Sequence, residues 1–296
     1  SALAGPRLEG SPGARAALGG CRVGSVSTAR RIGRLALASP PARGSALTRR
    51  RPDMRVGAEE LRGGPVDTSL PDRVLQLAQS LEPRLKGSAV YLVGMMGSGK
   101  TNVGRILHNS LKYTFFDTDE LVETVTGKSV TEVFDEAGEP FFRQMEEEVL
   151  QQLKPYTRIL VATGGGVVTS LKNWDAMRNG LVVWLDAPTS LLAERLQGQT
   201  TERPLLDMPA DATEQQLKDK LDAIFAERRT MYQRADIRIS LEDGYEAGAV
   251  SPVKVAFKVL KEIEAMIDAK DARDEERKNF TINQDNINKF DMDQLK

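Results

Sequence analysis

Between Ser88 and Asp268 the chain alternates short, unbroken apolar runs with amphipathic stretches. Ala89-Val90-Tyr91-Leu92-Val93 stops at a glycine and reads as a buried strand, and the spacing of Val103, Ile106, Leu107 and Leu111 then predicts a helix. Thr114-Phe115-Phe116, Arg158–Ala162, Leu181–Leu185 and Ile237–Ser240 are four further strands by the same reading. Helical patterns cover roughly Asp119–Val125, Val130–Glu136 and Phe141–Leu153, and Val253–Ile267 predicts a closing amphipathic helix. Strands that do not alternate polar and apolar residues, separated by helices, mean a parallel sheet covered on both faces. The pattern therefore predicts one α/β domain over residues 88–268, and no internal repeat interrupts it.

Outside that span the pattern fails. Residues 1–57 are rich in Ala, Gly, Arg and Ser, and the first 55 hold eleven Arg, no Lys and only two acids, Glu9 and Asp53. Their local charge is +9 in a chain whose net charge is −1. Without an apolar run of secretory length, this is the composition of an organellar transit peptide. A disordered basic arm is the alternative, and an arm that binds nucleic acid is disfavoured because no aromatic residue interleaves the arginines. Residues 58–87 read as a linker with one short helix between Pro71 and Pro83, and 269–296 as a charged tail. The tail carries too few apolar groups to offset its chain entropy and is expected to be disordered.

Composition narrows the chemistry. Hydrophobic residues make up 40 % of the chain, enough for a packed core. No run of about 18 apolar residues offers a membrane-spanning helix, and the near-zero net charge argues against a wholly basic nucleic-acid binder. The single cysteine, Cys21, lies in the leader, which excludes a disulfide scaffold and a cysteine-built metal site. With one histidine, His108, acid–base chemistry falls to carboxylates, Lys or Tyr.

The strongest motif is Gly94-Met95-Met96-Gly97-Ser98-Gly99-Lys100-Thr101, which fits G-x-x-x-x-G-K-[ST] between a buried strand and a helix. Its glycines let backbone N–H groups converge on phosphate oxygens at the positive end of the helix. Lys100 would reach the β- and γ-phosphates and the Thr101 hydroxyl would bind Mg²⁺. Phe116-Asp117-Thr118-Asp119 ends the second strand on the same rim, where α/β proteins bind ligands. Asp119 reads either as a cap of the next helix or as a site carboxylate, and the neighbouring phosphate loop favours the site. Gly164-Gly165-Gly166 follows the third strand and permits close approach of a ligand to backbone N–H groups. No acid ends that strand, so Asp117 is the supplier of the second metal-holding group.

Four arginines join them. Arg143 has Glu146 and Glu147 as i+3 and i+4 neighbours, so a solvated ion pair is its default reading. Arg195 and Arg203 flank an interrupted helix that suggests a lid, with Arg203 close to the transferring phosphoryl group. Arg228, by itself, reads as a surface cation.

Taken in order, the phosphate loop, Phe116–Asp119, Phe142-Arg143 with Glu146, the glycine triplet, Arg203-Pro204-Leu205-Leu206 and Arg228 four residues before Tyr232 resemble shikimate kinases. With the leader, the likeness is to plastid-targeted members from photosynthetic eukaryotes; a mitochondrial address is the alternative. The resemblance implies a P-loop, nucleoside-monophosphate-kinase-like fold with a five-stranded parallel sheet in order 2-3-1-4-5 and a mobile lid. It implies transfer of the ATP γ-phosphate to the 3-hydroxyl of shikimate, with Mg²⁺ as cofactor. By the same resemblance, residues matching Asp119, Arg143, Gly164–Gly166 and Arg228 bind shikimate, and Glu146 orients the substrate-binding arginine. Those matching Lys100, Arg195 and Arg203 contact nucleotide phosphates, and Thr101 and Asp117 serve Mg²⁺. Asn102 departs from the Thr or Ser usual after the loop and bears on α-phosphate contacts. The Arg195–Arg203 lid fits the family only loosely, and the adenine-contacting stretch near Glu242–Val250 matches no motif.

Two rival readings follow. A related kinase of the same fold would act on gluconate or a nucleoside monophosphate, but the pair Arg143 and Arg228 with the glycine triplet favours a compact acid. A non-catalytic relative should have lost Lys100, Asp119 or a substrate arginine, and all are present. Small-molecule substrates, and neither nucleic acid nor membrane, are the expected partners.

Overall fold

In a computed structural model the described residues are 69–197, 206, 208, 212–242 and 251–294, with side chains described to residue 278. The expected Arg203 site and most of the Glu242–Val250 stretch lie outside them, as does the leader. The order is α1 (Leu70–Leu81), β1 (Val90–Val93), α2 (Lys100–Leu111), β2 (Thr114–Asp117), α3 (Thr118–Thr126), α4 (Val130–Leu153) and β3 (Ile159–Ala162). A 3-10 turn (Val167–Thr169), α5 (Leu171–Met177), β4 (Leu181–Asp186), α6 (Thr189–Leu196), α7 (Glu214–Tyr232), β5 (Ile237–Ser240) and α8 (Pro252–Gln294) complete it.

All five strands pair in parallel in the order β2-β3-β1-β4-β5. Val90 of central β1 lies opposite Leu160 on one side and Leu181 on the other. Every residue of β1 and β3 is buried, which is why their sequences run apolar without alternation. Edge strand β5 has the alternation the inner strands lack: Ile237 and Ile239 are buried and Arg238 is exposed. Because the strands are parallel, their carboxyl ends share one rim, and the loops after β1, β2 and β3 all open onto it.

Two segments differ from expectation. The helix inside the presumed linker buries Val74, Ala78 and Leu81 in the common core and packs with α2 and α8. The closing helix runs past Ile267 to Gln294, where a tail without regular structure was expected. The Ala, Asp, Glu, Lys and Arg residues of 268–278 are exposed, yet most of them are favourable helix formers that extend a helix already nucleated by packing. The two helices expected at 130–136 and 141–153 do meet, as α4, across a kink at Gly138, whose φ of 77° and ψ of 171° leave the helical region. Pro140 follows the kink, where a missing N–H is tolerated.

Candidate active site

The loop after β1 is shaped by its glycines. Gly94 has φ 148°, and a Cβ there would lie 2.6 Å from the Leu185 carbonyl of β4, so no side chain fits. Gly99, at φ 89°, turns the chain into α2. Lys100 is buried and its ammonium donates to the carbonyls of Gly94 at 2.9 Å and Met95 at 2.8 Å. It therefore arches over its own loop, with Ser98 buried beside it. Arg195, near the end of α6, donates to the Gly97 carbonyl at 3.0 Å and so is brought to the loop despite its loose fit to the family pattern. Asn102 follows as the third residue of α2 and is exposed.

The Thr101 hydroxyl donates to Asp117 Oδ2 at 2.7 Å. The other Asp117 oxygen accepts from the Asp119 N–H at 3.1 Å, so Asp117 is the N-cap of α3. The capping alternative considered for Asp119 therefore belongs to Asp117, and the Asp119 carboxylate is aimed elsewhere. A Cβ on Gly164 would meet Asp119 Oδ1 at 2.9 Å and Glu146 Oε1 at 2.6 Å, so both carboxylates crowd the first glycine of the triplet.

Arg143 stands at the other end of that triplet. A Cβ on Gly166 would fall 2.3 Å from its guanidinium, which lies flat on the glycine. Its Nη1 donates to Glu146 Oε2 at 2.8 Å, and its Nε and Nη2 donate to Glu139 Oε1 at 3.2 and 3.0 Å. Glu147, expected as a partner, instead accepts from Ser170 at 2.6 Å and pairs with Lys172. Position i+4 faces away because Glu146 already takes the inward side. Burial pushes the Glu146 carboxyl up from its ordinary range, and the Arg143 and Arg228 charges pull against that shift. Glu146 Oε1 is buried without a hydrogen-bond partner. Arg228 donates to the Gly165 carbonyl at 3.3 Å, and the buried Tyr232 hydroxyl donates to the same oxygen at 2.6 Å.

Sequence reasoning missed Glu139 and the role of Thr118, and named Tyr232 only by its spacing from Arg228. Thr118 is fully buried and accepts from the Gly164 N–H at 2.9 Å, tying the loop after β2 to the triplet. A Thr between two aspartates offered no signal of its own; Tyr232, four residues after Arg228, offered one. The rim thus gathers a phosphate loop, two separate carboxylates and two arginines around three glycines. A cavity of about 570 Å³ at the opposite, amino-terminal rim contains none of these residues.

That ordered set has a counterpart among known proteins: the shikimate kinase profile matches residues 96–264. The chain belongs to the shikimate kinase family. It is 47 % identical over 163 residues to shikimate kinase of Synechococcus elongatus, covering 55 % of this chain and 82 % of that one. Shikimate kinase 3, chloroplastic, of Oryza sativa subsp. japonica is 39 % identical over 283 residues, covering 90 % of this chain and 98 % of that protein. Shikimate kinase from Acinetobacter baumannii in complex with shikimate superposes with a TM-score of 0.55 at 31 % identity, covering 64 % of this chain and 97 % of that one. The sheet order is the one expected for this family of P-loop kinases.

Proposed function

We propose that the protein transfers the γ-phosphoryl group of ATP to the 3-hydroxyl of shikimate, giving shikimate 3-phosphate and ADP. The observation that carries this reading is the convergence of Asp119, Arg143 and Arg228 on Gly164–Gly166, beside the phosphate loop. Arg143 and Arg228 supply charge-assisted donors for a small carboxylate. Asp119 accepts the proton of the attacking hydroxyl as the new O–P bond forms and the bond to the ADP oxygen breaks. A weak base suffices, because catalysis of phosphoryl transfer is mostly positioning and charge neutralisation. Lys100 and Arg195 hold phosphate oxygens, and Arg203 is assigned there by family likeness.

Thr101 and Asp117 fit Mg²⁺. Their oxygens are 2.7 Å apart and hard, and among the described residues no cluster of three or more acids, Cys or His competes for a cation. Two protein oxygens completed by phosphates and water are what Mg²⁺ usually takes. Thr101 and Asp117 would hold the ion, which would help offset the negative charge of the phosphates during transfer. A plastid stroma location is proposed from the basic leader and from the chloroplastic rice relative.

An ADP-release assay with shikimate, gluconate and AMP as separate acceptors tests the assignment. Shikimate-dependent ADP release that exceeds the other two by orders of magnitude is expected. Equal or greater rates with gluconate or AMP, or no turnover at all, would refute it.

A further inference from the structure

The guanidinium of Arg143 is enclosed on four sides. Gly166 covers one face, and the Phe142 ring, with its centroid 5.4 Å from Cζ, lies near the guanidinium. Glu146 takes one edge through Nη1, and Glu139 takes the other through Nε and Nη2. The two carboxylates differ in one respect that decides their roles. The Glu146 side chain is 1 % exposed and cannot leave, whereas that of Glu139 is 49 % exposed and can swing into water. Glu139 also sits between Gly138, the non-helical kink residue, and Pro140, where the helical ladder is interrupted. Charge points the same way: Asp119 and Glu146 already face the triplet with Arg143 and Arg228, so Glu139 and an incoming carboxylate together would leave the site with excess negative charge, which withdrawal of Glu139 into water relieves.

The edge formed by Nε and a terminal amine is one that planar carboxylates grip in a fork. We infer that Glu139 is an internal stand-in for the acceptor's carboxylate: it occupies the Arg143 edge until the acceptor binds and then yields it. The inference rests on the reading that Arg143 holds the acceptor's carboxylate. Its consequence is a lowered apparent affinity, because only the fraction of molecules with Glu139 released is competent to bind. It also supplies selectivity, since a neutral analogue gains nothing from displacing a charged group.

The test is calorimetric titration of the full chain with shikimate and with its methyl ester, for wild type, Glu139→Gln, Glu139→Ala and Arg143→Ala. Removing a half-exposed competing charge should tighten shikimate binding roughly three- to tenfold in both Glu139 variants, in line with the modest worth of such ion pairs. The methyl ester should bind all Glu139 variants about equally. Glutamine keeps an acceptor for Arg143 and alanine does not, so tightening in both separates competition from bracing. Unchanged or weaker shikimate binding in both, with Arg143→Ala still crippled, overturns the stand-in and makes Glu139 a brace. Shikimate affinity unchanged in Arg143→Ala overturns the underlying assignment instead. Thermal melts of each variant identify any loss that is only unfolding.

Discussion

Asp117 and Asp119 are two residues apart in one motif and separate cleanly in three dimensions. Asp117 spends one oxygen on the Asp119 N–H and the other on the Thr101 hydroxyl. Asp119 points instead toward Gly164, where Glu146 also points. Asp119→Asn therefore leaves the α3 cap untouched, since the capping bond uses only the backbone of residue 119. Loss of a cap costs about 0.5–2 kcal/mol of stability, and none should be seen here. On the proposed role of Asp119 as the base that orients the acceptor hydroxyl, its loss should lower turnover by roughly 10²–10⁴-fold. The defect should fall on kcat and kcat/KM alike, as for an interaction made in the transition state. Asp117→Asn should differ, its turnover recovering in part as Mg²⁺ is raised. Near-normal turnover of shikimate by a folded Asp119→Asn would end the general-base assignment.

At the scale of elements, the glycine triplet is held from two directions. Thr118 at the start of α3 fixes the Gly164 N–H, and Arg228 and Tyr232 on α7 fix the Gly165 carbonyl. Tyr232 is placed by stacking on Trp184 of β4, at 5.6 Å between ring centroids. Burial holds its phenol far above the ordinary range, so it stays a donor at every working pH. Tyr232→Phe keeps the stack and removes one hydrogen bond, worth about 0.5–1.5 kcal/mol. The KM for shikimate should rise roughly two- to tenfold on that scale, with the KM for ATP little changed. An equal rise in both would show that Tyr232 supports the fold and not the triplet. The strands and the phosphate loop were legible because four-residue buried strands leave unbroken apolar runs and because the loop needs glycines at fixed spacing. The roles of Thr118 and Tyr232 were not, although Tyr232 stood out by its spacing from Arg228, since their partners lie dozens of residues away and only the sheet order brings them together. Glu139 was hidden differently: it lies four residues N-terminal to Arg143, directly after the kink at Gly138, while the i+3 and i+4 acids offered a sufficient explanation.

At the scale of the whole molecule, α1 is the first element described, and it is part of the core. Prolines at both ends and its short length made this segment look like a spacer, because its partners, α2 and α8, are distant in sequence. Val74, Ala78, Leu81 and Leu85 are nevertheless at most 5 % exposed. Burying a Val or Leu side chain is worth about 1.5–3 kcal/mol, so the three larger residues contribute on the order of 5–9 kcal/mol as an upper estimate. That is comparable with the whole stability of a typical domain, about 5–15 kcal/mol. The far side of the same contact is weaker: Arg84 pairs with Asp268 and Asp271 in solvent-exposed ion pairs, which water and salt screen. Deletion of residues 1–68 should therefore leave the melting temperature and activity close to those of the full chain. Deletion of residues 1–87 should abolish cooperative folding, and removal of residues 279–296 should cost little. If the leader is cleaved on import, cleavage after α1 would remove a packed element of the core. On import into isolated plastids, the processed amino terminus found by mass spectrometry should lie upstream of Leu70, and an active product beginning after Leu85 would contradict the place of α1 in the core.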